Sequence, residues 1–191
     1  MTLLKSACLD KLESVDELGR LPDNCTVSDF GVRGSYSRRR ACTHFLEGQF
    51  SYLNQHVPEL IKAIKRARRR TVVRNFLEIY QYGQVRERYP GLSAELMSRL
   101  YKNIGSSDLH KVASLFAEDP YQYRNGWPDL TLITPQSKLV FAEVKVNDKF
   151  HYNQIKLLLQ VLVFLPHPFV VIKAKQSEKT VLPDTEDFFM Q

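Results

Sequence analysis

Two apolar segments in the second half of the chain carry charged residues at the ends where they would meet. The stretch "NGWPDLTLITPQSKLVFAEVKVNDKF" has Asp129 at the start of one segment, and Glu143 and Lys145 at the end of the next. A charge buried in an apolar layer is costly unless it is paired or holds a metal. The pattern therefore indicates either a buried ion-pair network or a catalytic centre.

Both segments have the composition of β-strands joined by a short turn. The predicted strands are 129–134 and 139–145, and the sequence "PQS" between them predicts a hairpin. Residues two positions apart on a strand share a face, so Glu143 and Lys145 point together. In an antiparallel hairpin, the start of the first strand lies beside the end of the second. Asp129 is therefore predicted to lie next to both side chains.

Two carboxylates and one ammonium group at one end of a sheet support metal-dependent chemistry. Asp129 and Glu143 offer the oxygen ligands that Mg²⁺ or Mn²⁺ prefers, and the Val144 carbonyl is an additional predicted ligand. A bound divalent cation lowers the pKa of its water and acts as a Lewis acid on a phosphate. Lys145 is positioned to orient that water or to stabilise charge on a phosphate oxygen.

A basic segment earlier in the chain indicates a polyanionic partner. From Lys62 to Arg74 there are seven cations and no acid, within a chain of net charge +6. Like charges one helical turn apart repel unless a polyanion relieves them. Nucleic-acid backbone is the favoured partner, while an anionic surface or a targeting role gives the same signal. The predicted DNA contacts are Lys62, Lys65, Arg66, Arg68, Arg69, Arg70 and, near the carboxylates, Arg124.

Several classes of protein are disfavoured by the sequence. The most apolar run, Leu157 to Ile172, is interrupted by polar residues and prolines, so no membrane span is predicted. Charge comes too early at the N-terminus for a signal peptide, which predicts an intracellular site of folding. The three cysteines and five histidines have no zinc-site spacing, and no glycine-rich phosphate loop occurs.

The elements that position the charged residues follow from apolar spacing and turn residues. The predicted order is a helix from Thr2 to about Leu21, a polar arm from Ser28 to Arg40, one or two helices within 56–89, and two helices separated by Gly105 and ended by Pro120. The hairpin, a helix from His151 to Leu165 and a buried strand from Phe169 to Ala174 complete the order. We predict a basic helical extension over 1–90, an α/β core over 91–176 and a polar tail over 177–191.

The charged motif resembles that of a known family. "GWPDLTLI", "FAEVK" and "NQIKLLL" together resemble the signature of PD-(D/E)xK nucleases, and specifically the virus-type replication-repair nuclease (VRR-NUC) domain, which also forms the catalytic end of the Fanconi-associated nuclease. The resemblance spans about Ser107 to Lys175, under half of the chain. It implies a restriction-endonuclease-like α/β core of helix, mixed sheet, helix and strand, preceded here by the mostly helical extension.

The resemblance also implies roles for individual residues. Asp129, Glu143 and Lys145 match the catalytic acid, acid and lysine of the family, and Gln154 matches the helix residue beside the site. The family carries a further acidic metal ligand on an upstream helix. Glu95 is the first choice for it, with Glu78 and Glu47 as rivals. The Asp-Arg pair that often follows the motif is Asp148-Lys149 here, which makes Lys149 a predicted DNA contact.

The predicted function is that of a metal-dependent DNA endonuclease acting on branched or structured DNA in repair or recombination. Such an enzyme would be cytoplasmic, nucleoid-associated or nuclear, would use Mg²⁺ or Mn²⁺, and would have no membrane partner. A homodimer is an open alternative, because minimal nucleases of this type often cut both strands as dimers. Two other functions stay open: a nuclease toxin domain, in some cases secreted, neutralised by an immunity protein, and a catalytically inactive DNA-binding module. A globular domain stabilised by an acid–lysine network ranks last.

Overall fold

Helices form the first part of the chain and a small sheet follows. The computed structural model describes residues 1–15 and 36–175. The first helices are α1 (Thr2–Val15), α2 (Tyr36–Thr43), α3 (Leu46–Tyr52), α4 (Val57–Arg66), α5 (Arg69–Tyr82), α6 (Val85–Arg88), α7 (Ala94–Glu118) and α8 (Pro120–Tyr123). The remaining elements are β1 (Leu130–Ile133), β2 (Leu139–Lys145), α9 (Tyr152–Gln160) and β3 (Phe169–Lys173), with 3₁₀ turns at Asn54–His56 and Leu162–Phe164.

The three strands form one mixed sheet in the order β1-β2-β3. β1 and β2 pair antiparallel, with Leu130 opposite Ala142, so the predicted hairpin is confirmed. β2 and β3 pair in parallel, with Glu143 opposite Val171. α9 lies in the connection between these two strands, where parallel neighbours need a crossover. The described chain is thus α/β, with mostly helical content and a small mixed sheet.

A helical bundle carries much of the core. α1, α4, α5 and α7 pack against one another. An apolar stripe on α4 and α5 is buried in this bundle, and its members are at most 1% exposed: Leu60, Ile64, Val72, Phe76 and Ile79. Burying one large apolar side chain contributes about 1.5–3 kcal/mol, so this stripe is a principal source of stability.

α7 connects the bundle to the sheet. Ser93 caps its first turn by accepting a hydrogen bond from the Leu96 N–H at 3.1 Å. The two helices predicted on either side of Gly105 follow one another in a single kinked element, in which Gly105 has a φ of 72°. The second half of α7 faces the sheet, and its Leu109 lines a small apolar cavity together with Phe141 of β2.

The described end of the predicted polar arm is helical, which corrects the prediction for residues from Tyr36 onward. Arg38 gives the physical reason. Its guanidinium lies 2.6 Å from Glu78 of α5 and 2.7 Å from Asp10 of α1. These long-range ion pairs hold α2 between two helices that lie far from it in the sequence.

Two parts of the sequence, 16–35 and 176–191, lie outside the described residues. The predicted end of the first helix near Leu21, most of the predicted arm, Cys25 and the predicted tail fall in them. Cys8 and Cys42, which are described, are free and buried thiols. None of the helices within the described parts is both long enough and apolar enough to cross a membrane.

β3 is exposed, whereas the sequence predicted a buried strand. It is an edge strand, and its last four residues are exposed. The opposite side of the sheet from Glu143 is also open, and four of its apolar side chains are 40–41% exposed: Leu130, Leu132, Val170 and Ile172. We call these four residues the outer sheet face. An apolar strand is buried only where another layer covers it, and no described element covers the outer sheet face.

Lys5 is a buried lysine in the first turns of α1. Its Nζ donates hydrogen bonds to the carbonyls of Cys42 and His44, both at 2.5 Å. Burial lowers the pKa of Lys5 to about 8. Burial also raises the pKa of Cys8 to about 12 and that of Cys42 to about 11. These opposite shifts predict a maximum in stability against pH.

We expect the free energy of unfolding to rise from pH 8 to pH 9 and to fall above it. Between these values folded Lys5 loses its proton while the unfolded chain keeps it, and stability rises wherever the unfolded state binds more protons. Above pH 9 the unfolded chain loses two thiol protons that the folded chain keeps. Urea unfolding over this range measures the effect. In Lys5→Met the free energy of unfolding should no longer rise between pH 8 and pH 9. A rise that persists in this variant would show that Lys5 does not cause it.

Candidate active site

Asp129, Glu143 and Lys145 come together at one end of the sheet. The pairing of β1 with β2 puts the position before Leu130 opposite Glu143, which brings Asp129 beside it. Glu143 and Lys145 share the inner face of β2 because they are two residues apart. They are only 2% and 8% exposed, whereas Asp129 is exposed. A buried ion pair thus lies next to a carboxylate that solvent reaches.

Glu143 and Lys145 are the centre of a hydrogen-bonded network. Lys145 Nζ lies 2.9 Å from Glu143 Oε1 and 2.9 Å from Asp148 Oδ2. The same ammonium group donates to Gln154 Oε1 at 3.2 Å, and Gln154 Nε2 donates to Glu143 Oε1. Three of the predicted site residues are therefore in direct contact with one another.

The network keeps the Lys145 side chain charged. Its hydrogen bonds to Asp148 and Glu143 raise the pKa of Lys145, and the bond from Lys145 lowers the pKa of Asp148. At neutral pH Lys145 is therefore an ammonium group, which donates hydrogen bonds and accepts none. This state suits a residue that orients a water molecule or stabilises negative charge, and it does not suit a general base.

Gln154 is positioned by the first turn of α9. This helix is shorter than the predicted one and ends at Gln160. Gln154 is the third residue of the helix and forms a capping box with His151, whose N–H donates to Gln154 Oε1 at 2.9 Å. One side chain therefore both closes the start of the helix and bonds both partners of the buried ion pair.

Gly126 allows the chain before β1 to approach α9. It has a φ of 81°, and a Cβ at this position would lie 2.5 Å from Asn153 O and 3.0 Å from Gln154 N. Only glycine adopts this conformation without strain, and only glycine leaves room for the backbone opposite. Gly126 therefore sets how closely the segment leading to Asp129 packs against the turn that carries Gln154.

Asp129 is held by the backbone of β2. Its Oδ2 accepts a hydrogen bond from the Val144 N–H at 2.8 Å. In an antiparallel pair, the N–H and carbonyl of one residue point toward the same neighbouring strand. The Val144 carbonyl is therefore directed toward the side of the sheet where Asp129 lies, which agrees with its predicted role as a ligand.

These oxygen donors fit a hydrated Mg²⁺ or Mn²⁺ ion. Mg²⁺ in proteins is often bound by one or two carboxylates and keeps several waters, and Asp129 and Glu143 are such a pair. Among the described residues, no group of three or more His, Cys, Asp or Glu side chains could hold a metal ion. A cation at this site would compete with Lys145 for the Glu143 carboxylate.

The three glutamates predicted as a further metal ligand have different surroundings. Glu47 is buried, and its Oε1 lies 2.9 Å from Arg124 Nη1. Glu78 is paired with Arg38. Glu95 is exposed in the first turn of α7. The structure does not bring any of them together with both site carboxylates in one group of three, so this ligand stays a prediction.

A cleft of about 490 Å³ opens beside Asp129. Its walls are the start of α1, the first half of α7 and the inner face of β1. Tyr89, Arg124 and Trp127 are among the side chains that line it. We call it the Asp129 cleft. Because its lining residue Thr131 is opposite Phe141 on β2, the cleft lies on the same side of the sheet as the buried ion pair.

The predicted DNA-contacting cations are on the surface. Six of them are exposed around the junction of α4 and α5, and none of the six forms an ion pair within the described chain: Lys62, Lys65, Arg66, Arg68, Arg69 and Arg70. Lys149 is also exposed, whereas Arg124 is partly neutralised by Glu47. Two of the six, Arg66 and Arg68, line an open groove against α1.

This basic groove and the Asp129 cleft follow the same side of α1. Leu3 lines the cleft, and Ala7, Lys11 and Ser14 line the groove. Residues three and four apart lie on one face of a helix, so these four positions form one stripe. At 1.5 Å per residue, Leu3 and Lys11 are about 12 Å apart along the axis.

The aromatic residues before β1 have separate roles. Tyr123 is buried in the last turn of α8, and its hydroxyl donates to Gln160 Oε1 at 2.7 Å. Tyr121 is exposed, 5.6 Å from the Arg124 guanidinium. Trp127 is partly buried, and its Nε1–H donates to the Tyr123 carbonyl at 2.8 Å.

Asp148 was predicted only as part of the Asp148-Lys149 pair, and its contact with Lys145 was missed. Its Oδ1 also accepts from the Val146 N–H at 3.3 Å, which closes the turn after β2. The sequence carried a usable signal, because a short acidic residue that favours turns follows the strand lysine by three positions.

The sequence matches no protein-family model and no curated protein. The likeness to VRR-NUC nucleases therefore depends on the motif residues themselves.

Proposed function

We propose that the protein is a metal-dependent nuclease that hydrolyses phosphodiester bonds in branched or structured DNA. The observation that carries the proposal is the contact of Glu143, Lys145 and Gln154 beside the exposed carboxylate of Asp129. An ion pair that only stabilises the fold needs neither an amide that bonds both partners nor a second carboxylate open to solvent. A metal-dependent phosphodiesterase site uses a solvent-accessible carboxylate of this kind to hold its cation.

Each residue has a chemical task in this proposal. Asp129, Glu143 and the Val144 carbonyl would hold Mg²⁺ or Mn²⁺, which supplies an activated water and neutralises charge on the phosphate. Lys145 remains protonated and donates a hydrogen bond to the attacking water or to a phosphate oxygen. Gln154 fixes the separation of the carboxylate and the ammonium group through its amide.

The basic groove supports DNA as the substrate. Its arginines, Arg66 and Arg68, form no ion pair within the described chain, and the groove follows the same side of α1 as the Asp129 cleft, with Lys11 of the groove about 12 Å along the axis from Leu3 of the cleft. This distance corresponds to about three to four base-pair steps of 3.4 Å. One bound duplex can therefore contact the groove while a phosphate lies at the carboxylates.

Removal of two cations of the groove and one beside it tests the role of this surface in DNA binding. We expect the triple variant Arg66→Ala, Arg68→Ala, Arg69→Ala to reduce the slope of log Kd against log salt by about 2 to 3, since each lost phosphate contact removes about 0.9. Fluorescence anisotropy with a labelled duplex measures the slope. A matched control replaces three exposed cations outside the groove: Arg99, Lys102 and Lys138. Equal slopes for the two triple variants would contradict the assignment.

The proposed activity is tested by cleavage of labelled duplex, single-stranded, flap and four-way-junction DNA. Each substrate is incubated with Mg²⁺, Mn²⁺ or EDTA, with the wild-type protein and with Asp129→Asn. Asp129 is exposed, so this variant is expected to fold normally and to lose cleavage. Cutting that needs the metal and Asp129 supports the proposal, and a preference for flap or junction supports branched DNA. Cleavage that continues in EDTA would overturn it.

A non-catalytic DNA-binding module is the second candidate. It is favoured by the Glu143–Lys145 ion pair, which occupies one of the two carboxylates. It predicts salt-dependent DNA binding in the cleavage experiment without cutting under any metal condition.

A further inference from the structure

The Asp129 cleft has the size and lining of a site for a small planar molecule. Its volume of about 490 Å³ falls within the range of about 300–1,000 Å³ that small-molecule sites have. Its walls are mostly apolar, with Met97 and Leu100 of α7 opposite β1. Tyr89 and Trp127 add aromatic surfaces, and the polar groups at the cleft include Arg124 and Asp129.

The aromatic residues of the cleft are suited to stacking. The indole of Trp127 is fixed because its Nε1–H donates to the Tyr123 carbonyl at 2.8 Å. Tyr89 is 59% exposed, so its ring is accessible from solvent. Every nucleobase has a π face, and stacking on such rings is tolerant of sequence. Arg124 is also exposed on this cleft, and although Glu47 partly neutralises its charge, its other guanidinium N–H groups can donate to a neighbouring phosphate.

We infer that the Asp129 cleft binds one unpaired nucleobase of the DNA strand whose phosphate lies at the carboxylates. The inference rests on the proposed function and adds a substrate class, namely DNA with an unstacked nucleotide next to the cleaved bond. Asp129 belongs to both the cleft and the carboxylate pair, so a nucleotide in the cleft is adjacent to the reacting phosphate. A base inside a duplex is stacked on both sides and cannot enter, whereas one at a branch or bulge enters at low cost.

The test compares two duplexes that differ only in one base. One carries a single bulged adenine and the other carries an abasic residue at the same position, so the backbone charge is identical. Binding is measured by anisotropy with Ca²⁺ in place of Mg²⁺, and gels verify that the DNA stays intact. We expect the bulged base to bind about 10-fold more tightly than the abasic residue, within the range measured for base–aromatic stacking.

Tyr89→Ser should remove this preference, because the abasic duplex has no base for the ring to stack on and only the bulged duplex loses that contact. The fold should persist, because the ring is exposed. Tyr52→Ser is the matched control, since Tyr52 is an exposed tyrosine of α3 that does not line the cleft. Equal affinity of the wild type for the two duplexes would overturn the inference, as would a preference that survives in Tyr89→Ser.

Cleavage by the same preparation with Mg²⁺ separates this inference from the proposed function. A base preference without cleavage supports the cleft and rejects the nuclease. Cleavage without a base preference rejects the cleft and leaves the nuclease in place. Absence of any DNA binding rejects both.

Discussion

Replacing Glu143 by Gln is expected to lower metal-dependent DNA cleavage at least about 100-fold. Changes to residues that only support metal ligands already cost about 10- to 100-fold, and Glu143 is itself one of the two proposed ligands. The substitution keeps the size of the side chain and still accepts a hydrogen bond from Lys145, so the fold should persist. Initial cleavage rates at saturating Mg²⁺, together with a thermal melt of each protein, measure both effects.

Asp148→Asn is the matched control for this experiment. Asp148 also bonds Lys145 at 2.9 Å, but its side chain is 53% exposed and it is not a proposed ligand. We expect its cleavage rate to stay within about 10-fold of the wild type, below the loss typical of a ligand. If the two variants lose cleavage equally, the network acts only by holding Lys145. If neither loses it, Glu143 has no part in the reaction.

Replacing Gly126 by Ala is expected to have the largest effect on stability, a loss of about 2–4 kcal/mol. Two costs add at this position. The φ of 81° is strained for any residue with a Cβ, and that Cβ would meet the backbone of Asn153 at 2.5 Å. Because the first turn of α9 must move away, Gln154 should also lose its contacts with the ion pair. Urea unfolding measures the first effect and the cleavage rate the second.

Substitutions at two other glycines measure the conformational strain separately from the steric contact. Gly105 has a φ of 72° and nothing within 4 Å of an added Cβ, so Gly105→Ala should cost only the conformational strain, about 1–3 kcal/mol. Gly91 has open space and no such φ, so Gly91→Ala should change stability by less than about 0.5 kcal/mol. A loss in Gly126→Ala no larger than that in Gly105→Ala would show that α9 yields to the new methyl group.

The arrangement of Asp129, Glu143 and Lys145 could be predicted because it depends on local rules. Alternation along β2 places two charges on one face, and a three-residue turn with Pro135 fixes which end of β1 lies beside them. The contact with Gln154 was harder to predict from the sequence. It depends on how α9 docks on the sheet, and only the resemblance to a nuclease family pointed to this residue.

Other features depended on long-range packing that composition does not reveal. An apolar strand such as β3 was predicted to be buried, but its burial depends on whether another element covers the sheet. The arginine-rich segment of α2 was predicted to be an arm, and ion pairs from Arg38 to α1 and α5 account for its helical structure. A third acidic ligand could not be chosen, because the position of a helix over a sheet is set by tertiary contacts.

The outer sheet face has a consequence for work with the purified protein. It presents four apolar side chains, each about two fifths exposed, next to the edge of β3 that no described strand pairs with. Surfaces of this kind associate with like surfaces, and the extent of association increases with protein concentration. We therefore expect the sedimentation of the protein to depend on its concentration. Rates from nanomolar cleavage assays should not be compared with those from micromolar binding assays until a dilution series has been measured.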